Sequence, residues 1–121
     1  MLAVILYSSP KTLMKTRDLN GCPISYSLDI FGDKWTLLVM RDVLGRNMHY
    51  YRDFLKAGEG IATNVLSDRL KTLVEQGIVV RREPTDGKGQ VSYHATEKGM
   101  ELLPILHAMI DWGKKYQPRR L

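Results

Sequence analysis

Apolar residues recur along this chain with two different periods, and the places where the period changes divide it into elements. Between 63 and 76, Leu66, Leu70 and Leu73 fall at i, i+4 and i+7, which gathers them on one side of a helix. Asn64, Asp68, Lys71 and Glu75 point away from that side, with Ser67 and Thr72 flanking. Gly77 follows where a helix needs a left-handed residue just past its end. Ile78-Val79-Val80-Arg81-Arg82-Glu83 then opens β-branched and breaks at Pro84, which predicts a strand. Thr85-Asp86-Gly87-Lys88-Gly89 supplies turn chemistry, and Gln90-Val91-Ser92-Tyr93-His94 reads as the returning strand. Upstream, Pro23 suits a first helical position, and Ile24, Leu28 and Phe31 form one apolar stripe up to Gly32. Asp33 is placed to cap a second helix, with Trp35, Leu38, Val39 and Val43 as its buried side and Gly45-Arg46-Asn47 as its close. A shorter helix is predicted over 50–56, burying Tyr51, Phe54 and Leu55, and Ala57-Gly58-Glu59-Gly60 turns into the polar-faced helix.

After the hairpin, Thr96 with Glu97 opens a last helix that runs to Tyr116. Pro104 either kinks this helix or marks a later start. Leu102, Leu103, Ile105, Leu106, Met109, Ile110 and Trp112 make it apolar over more than one stripe. A second chain is therefore its natural cover. Residues 1–21 form an arm with an apolar start at Leu2 to Tyr7, which a dimer can also cover.

The chain has 121 residues, enough for one domain with a single core. At 44% hydrophobic and 26% charged, its composition is that of a globular protein and excludes a disordered one. No stretch approaches the ~20 apolar residues that span a bilayer, so no membrane partner is expected. Leu2 to Tyr7 lacks the flanks of a secretory signal, and one cysteine cannot form an intramolecular disulfide; the expectation is a cytoplasmic protein. The net charge of +5 arises in the tails, where Lys11, Lys15, Arg17, Lys114, Lys115, Arg119 and Arg120 supply seven positive charges. Residues 18–113 hold 11 basic and 13 acidic residues, a net −2. What favours nucleic acid is local placement: Arg69, Lys71, Arg81, Arg82 and Lys88 all sit on the polar-faced helix and the hairpin.

A short helix with an uncommitted polar face beside a basic hairpin is the arrangement with which winged helix-turn-helix proteins meet DNA. It is equally an ordinary amphipathic helix beside a hairpin, and further residues separate the two. Cys22-Pro23-Ile24, Leu28-Asp29 and Gly32-Asp33-Lys34-Trp35-Thr36-Leu37-Leu38 resemble the opening signature of the HxlR-type family, relatives of the MarR regulators. Gly60-Ile61, Leu66-Ser67, Arg69-Leu70-Lys71, Leu73, Gly77-Ile78-Val79 and Arg81 resemble that family's recognition helix and following strand. Val91-Ser92-Tyr93, Thr96 and Gly99 resemble its second wing strand and the cap of its last helix. The blocks stand in order over residues 22–113.

The resemblance implies a mainly α fold with a small β-hairpin wing, a dimeric winged helix-turn-helix. It spans 22–116, between the arm at 1–21 and a basic tail at 117–121. It further implies a homodimeric transcription factor, of repressor type, on a roughly palindromic double-stranded operator. Asn64, Ser67, Asp68 and Lys71 are the expected base-edge surface. Thr63 lies at the helix start near the DNA backbone, and Arg69, Arg81, Arg82 and Lys88 are the expected phosphate contacts. A carboxylate at Asp68 suits a DNA surface only if it accepts from a cytosine amino group or orients Lys71. Two positions depart from the family pattern. Ala62 stands where a capping serine is usual, leaving Thr63 to cap or the helix to fray. Lys88-Gly89-Gln90 replaces the usual Pro-Pro-Arg of the wing.

Catalytic and metal chemistry find little support. His49, His94 and His107 are far apart in sequence, without metal-type spacing, and no nucleophile stands beside a general base in a known motif. No enzyme activity, cofactor or metal is expected. Trp35 and Trp112 read as packing residues. Cys22 precedes a helix N-terminus, where the dipole favours negative charge, and some HxlR-type regulators are similar in sensing oxidants or electrophiles there. A small buried cysteine with no role beyond packing is the plain alternative, with an uncharged small molecule as the effector. The rival to DNA binding is a winged-helix protein-interaction module, favoured by the net −2 of the body.

Overall fold

The computed structural model describes residues 21–119. The arm up to Asn20, with its apolar start and its three cations, lies outside the described residues, as do Arg120 and Leu121. The chain separates into two compact units, residues 1–34 and 35–121.

In the first unit, α1 (Pro23–Phe31) starts with Pro23 at its first position and Cys22 at the N-cap. Ser27 Oγ donates to the Pro23 carbonyl at 2.8 Å. Of the apolar stripe formed by Ile24, Leu28 and Phe31, only Phe31 is half-buried. Ile30 is buried, whereas Ile24 and Leu28 are exposed.

In the second unit, α2 (Thr36–Gly45), α3 (Tyr51–Leu55) and α4 (Thr63–Glu75) precede β1 (Val79–Arg82) and β2 (Ser92–Ala95), followed by α5 (Glu97–Met100) and α6 (Leu103–Tyr116). The strands pair antiparallel, with Val79 opposite Ala95 and Arg82 opposite Ser92. On its other edge β2 takes a short additional rung. Tyr50 bridges Ser92, and the Tyr93 N–H donates to the His49 carbonyl at 2.9 Å. α4 packs on α3 and β1, and α2 packs on β2 and α6. The core is formed by Val39, Met40, Phe54, Leu66, Leu70, Leu73, Ile78 and Val79. The three leucines of α4 are therefore its inward side, as their spacing predicts. No helix among the described residues is long and apolar enough to cross a membrane.

Several boundaries differ from the sequence pattern. α2 begins at Thr36 with Trp35 at its N-cap, so Asp33 does not occupy the capping position. Its buried side includes Thr36, Met40 and Asp42, and Leu38 is only half-buried. The last helix is two pieces. α5 is a single turn capped by Thr96, whose Oγ1 accepts from the Gly99 N–H at 3.0 Å. α6 starts anew with Pro104 in its first turn, where the missing N–H costs nothing. Leu106 is the buried residue of α6, leaving Met109, Ile110, Trp112 and Tyr116 exposed.

Two histidines far apart in sequence meet at the hairpin. The His49 and His94 rings stack with centroids 4.4 Å apart, and His49 Nδ1 donates to the Tyr93 carbonyl at 3.0 Å. Burial, the neighbouring His49 and then Arg82 push the His94 imidazole below its ordinary range. The fold thus favours neutral His94, while the unfolded chain takes up the proton near pH ~6.5. Stability held by His94 is complete above that pH and is lost as the pH falls through the lower folded value. Thermal melts should therefore fall more steeply from pH 7 to 5 in the wild type than in His94→Gln.

Candidate nucleic-acid interface

The polar side of α4 is built by the same periodicity that buries its leucines. Thr63, Asn64, Ser67, Asp68 and Lys71 are exposed, and Arg69 is half-buried. The N-cap of α4, Ala62, makes no side-chain capping bond, and Thr63 is the first helical residue. Tyr51 reaches in from α3: its hydroxyl donates to the Thr63 carbonyl at 2.9 Å and lies 3.0 Å from Ser67 Oγ. This contact is invisible in the sequence, since no spacing rule links a tyrosine to a helix twelve residues away.

The C-terminal end is closed by backbone geometry. Gly77 takes φ +73°, its N–H bonds the Val74 carbonyl at 3.0 Å, and the Ile78 N–H bonds the Leu73 carbonyl at 2.9 Å. This is the paired-bond C-terminal closure that needs a left-handed residue, with Ile78 and Leu73 both buried beside it. Two carbonyls just past α4 are taken by the segment after the hairpin. Lys98 Nζ donates to the Gln76 carbonyl at 2.7 Å and Thr96 Oγ1 to that of Gly77 at 2.6 Å. A cation at this end also suits the helix dipole.

Asp68 does not orient Lys71; it forms an ion pair with its neighbour Arg69. That pairing reduces the negative charge Asp68 would present to a phosphate backbone. On the hairpin, Arg81 pairs with Glu83, and its guanidinium is held charged first by the Tyr93 hydroxyl and then by Glu83. Successive strand residues point to opposite faces, so Arg81 and Arg82 do not act on the same side. Arg82 is exposed next in the strand, and Lys88 sits in the turn, where its N–H donates to Asp86 Oδ1 at 2.9 Å.

An open groove of about 420 Å³ separates α4 from the hairpin, lined by Tyr51, Ser67, Leu70, Lys71, Val74, Glu75, Arg81 and Tyr93. Of the residues singled out from sequence, the structure brings Ser67, Lys71 and Arg81 together there. Thr63, Asn64, Asp68, Arg69, Arg82 and Lys88 are not part of the lining. Cys22 belongs to the other unit, half-buried at the N-cap of α1. Among the described residues no three His, Cys, Asp or Glu side chains are grouped to hold a metal ion.

The comparisons with known proteins agree with this architecture. A family model for an HxlR-like helix-turn-helix matches residues 30–121. MalR of Fusobacterium mortiferum, a regulatory protein, is 32% identical over 94 residues, which cover 78% of this chain and 89% of MalR. YdeP of Bacillus subtilis, an HTH-type transcriptional regulator, is 31% identical over 102 residues, covering 84% of this chain and 79% of its own. Among solved structures, the transcription factor PA1607 superimposes with a TM-score of 0.76 at 34% identity, covering 84% of this chain and 70% of PA1607. The redox regulator HypR in its oxidized form gives 0.72 at 27% identity, over 81% of this chain and 100% of HypR. These relatives are regulators and transcription factors. The matched span takes in every element from α2 to α6, hairpin included, and this chain belongs to the HxlR-like helix-turn-helix family of bacterial DNA-binding transcriptional regulators.

Proposed function

We propose that this protein binds a roughly palindromic operator as a homodimer and represses transcription from it. The observation that carries the reading is the shared groove: Ser67 and Lys71 of α4 and Arg81 of the hairpin open to one side of the molecule. A helix and a wing that face the same way can enter adjacent grooves of one duplex. Asn64, Ser67, Asp68 and Lys71 then face base edges, Thr63 lies beside the DNA backbone, and Arg69, Arg81 and Lys88 contact phosphates, whereas Arg82, expected there from sequence, projects from the opposite face of its strand. Pairing through exposed apolar side chains of α6 and α1 (Met109, Ile110, Trp112, Ile24 and Leu28) supports the dimer. It would hold two recognition helices about 34 Å apart, one turn of DNA.

The test is a gel-shift series on a duplex selected from a random pool, with sedimentation of the free protein, which should give a dimer at micromolar concentration. Asn64→Ala should cost about 1–3 kcal/mol and relax preference at one base position. Lys88→Ala should weaken all sequences alike and lower the salt slope by about one. Absence of any salt-dependent binding, even to random duplex, would instead favour a protein-interaction module.

Regulation through Cys22 draws on its place at the N-cap of α1 and on the similarity to a redox regulator. An adduct there would shift the population between DNA-binding and non-binding dimers. Diamide should then lower the DNA affinity of the wild type and leave Cys22→Ser unchanged. Equal loss in both would leave the residue to packing.

A further inference from the structure

The hydroxyl protons where α3 meets α4 can be counted. Tyr51 Oη lies 2.9 Å from the Thr63 carbonyl oxygen and 3.0 Å from Ser67 Oγ. A carbonyl oxygen has no proton to give, so the single proton of the Tyr51 hydroxyl goes to Thr63. The proton between Tyr51 and Ser67 then comes from the serine. A serine inside a helix ordinarily turns its proton back to the carbonyl four residues earlier, as Ser27 does with Pro23 at 2.8 Å. For Ser67 that carbonyl belongs to Thr63, and Tyr51 both bonds it and receives the serine proton. Ser67 Oγ, on the exposed side of α4, is left with lone pairs alone to offer a partner.

We infer that Tyr51 is a positioning residue that makes Ser67 an acceptor, so that Ser67 reads an adenine or cytosine amino group and rejects guanine and thymine at that base. This rests on the DNA-binding reading above. In the major groove adenine N6 and cytosine N4 are donors, whereas guanine O6 and thymine O4 are acceptors at the same places on the base edge. An amino group adds a third hydrogen bond to the two already present. A base carbonyl can draw the serine proton only by breaking the Ser67–Tyr51 bond, or by turning the Tyr51 proton away from Thr63. Either way it gains one bond and loses one. A phosphate oxygen meets the same obstacle, which separates Ser67 from the cations that hold the DNA backbone.

The experiment uses the full chain and a duplex selected from a random pool. Ser67→Ala locates the base, as the position at which the preference of the wild type flattens. The wild type should prefer adenine or cytosine there. A transition at that base in one half-site exchanges the amino group for a carbonyl oxygen and should weaken binding about tenfold. Tyr51→Phe keeps the ring and frees the serine proton, so the same transition should then cost about threefold or less. A second measurement needs no DNA. In the free protein the carbonyl carbon of Thr63 should move upfield in Tyr51→Phe, as loss of a donated hydrogen bond requires, and the amide spectrum reports that the fold is kept.

The inference is overturned if Ser67→Ala flattens a preference for guanine or thymine, or flattens none; this result does not depend on the tyrosine variant. It is overturned equally if Tyr51→Phe keeps the full discrimination, including the case in which it weakens every sequence alike, as a purely structural tyrosine would. A Thr63 carbon that does not move removes the hydrogen bond on which the proton count depends. Failure of the wild type to bind any duplex, with the Thr63 carbon moved as expected, would refute the DNA reading and the base choice with it, and leave the Tyr51–Thr63 bond standing.

Discussion

Arg41→Met is expected to lower the unfolding free energy by about 3 kcal/mol, the low end of the cost of stranding a buried charge. The Asp42 carboxylate is enclosed, with its side chain 3% exposed, and its Oδ1 receives Arg41 Nε and Nη2, each at 2.9 Å. Arg46 stands further off at 3.4 Å. Arg41 also grips Glu59 through two bonds of 2.8 and 2.9 Å, which raises the guanidinium's own pKa and lowers that of Glu59. Methionine fills much of the same volume and removes every one of these donors, so the deficit is electrostatic. Partial exposure of Arg41 lets water reach the site, which is why the low end is expected. Denaturant melts measure the loss, and Arg41→Met with Asp42→Leu together should recover most of it, because an apolar pair leaves no charge to solvate. A loss below about 1 kcal/mol in the single variant would show that Arg46 alone suffices for Asp42.

Gly99→Ala is expected to cost about 3 kcal/mol, with Gly113→Ala as its neutral counterpart. A Cβ at Gly99 would lie 2.1 Å from the Ile78 carbonyl oxygen, a backbone atom that cannot turn aside. The same oxygen accepts from the Thr96 N–H at 3.0 Å, so moving it breaks the junction between the hairpin and α5. At Gly113 a Cβ would meet only the end of Gln117, 4.0 Å away, and alanine there should match or slightly exceed wild-type stability, by up to about 1 kcal/mol. Comparing the two variants by thermal melts separates a steric effect from a general dislike of alanine for glycine. Equal stabilities would mean that α5 can withdraw from β1 freely.

The sequence carries the elements whose causes are local. The leucines of α4 and Gly77 at its end act within a few residues, and both stand where their spacing places them. Pro84 and the glycines that follow mark the hairpin turn for the same reason. Features with distant causes were hidden. Asp42 is met by its near neighbours Arg41 and Arg46, but what holds Arg41 in place is Glu59, far along the chain in the turn between α3 and α4. The first turn of α4 is tied to α3 through the Tyr51 hydroxyl, a contact that no local pattern announces. In α1 periodicity shows that Ile24, Leu28 and Phe31 share a face and not what covers that face. At the candidate interface, the polar side of α4 is plain from the heptad-like spacing. The convergence of Ser67 and Lys71 with Arg81 depends on how the hairpin lies against the helix. That Arg82 would turn the other way was available from the two-residue period of a strand.

The hydrogen bonds that close α4 have a mechanical consequence. Lys98 and Thr96 fasten the two carbonyls just past its end to the segment leading into α6, and Thr96 also caps α5. The end of α4 and the root of the last helix are thereby joined through one short segment, so a tilt at the root of α6 would pull on α4. Lys98→Met and Thr96→Val loosen that joint from opposite sides of the segment. In such a protein the two helices would drift independently, and a displacement at one would no longer be felt at the other.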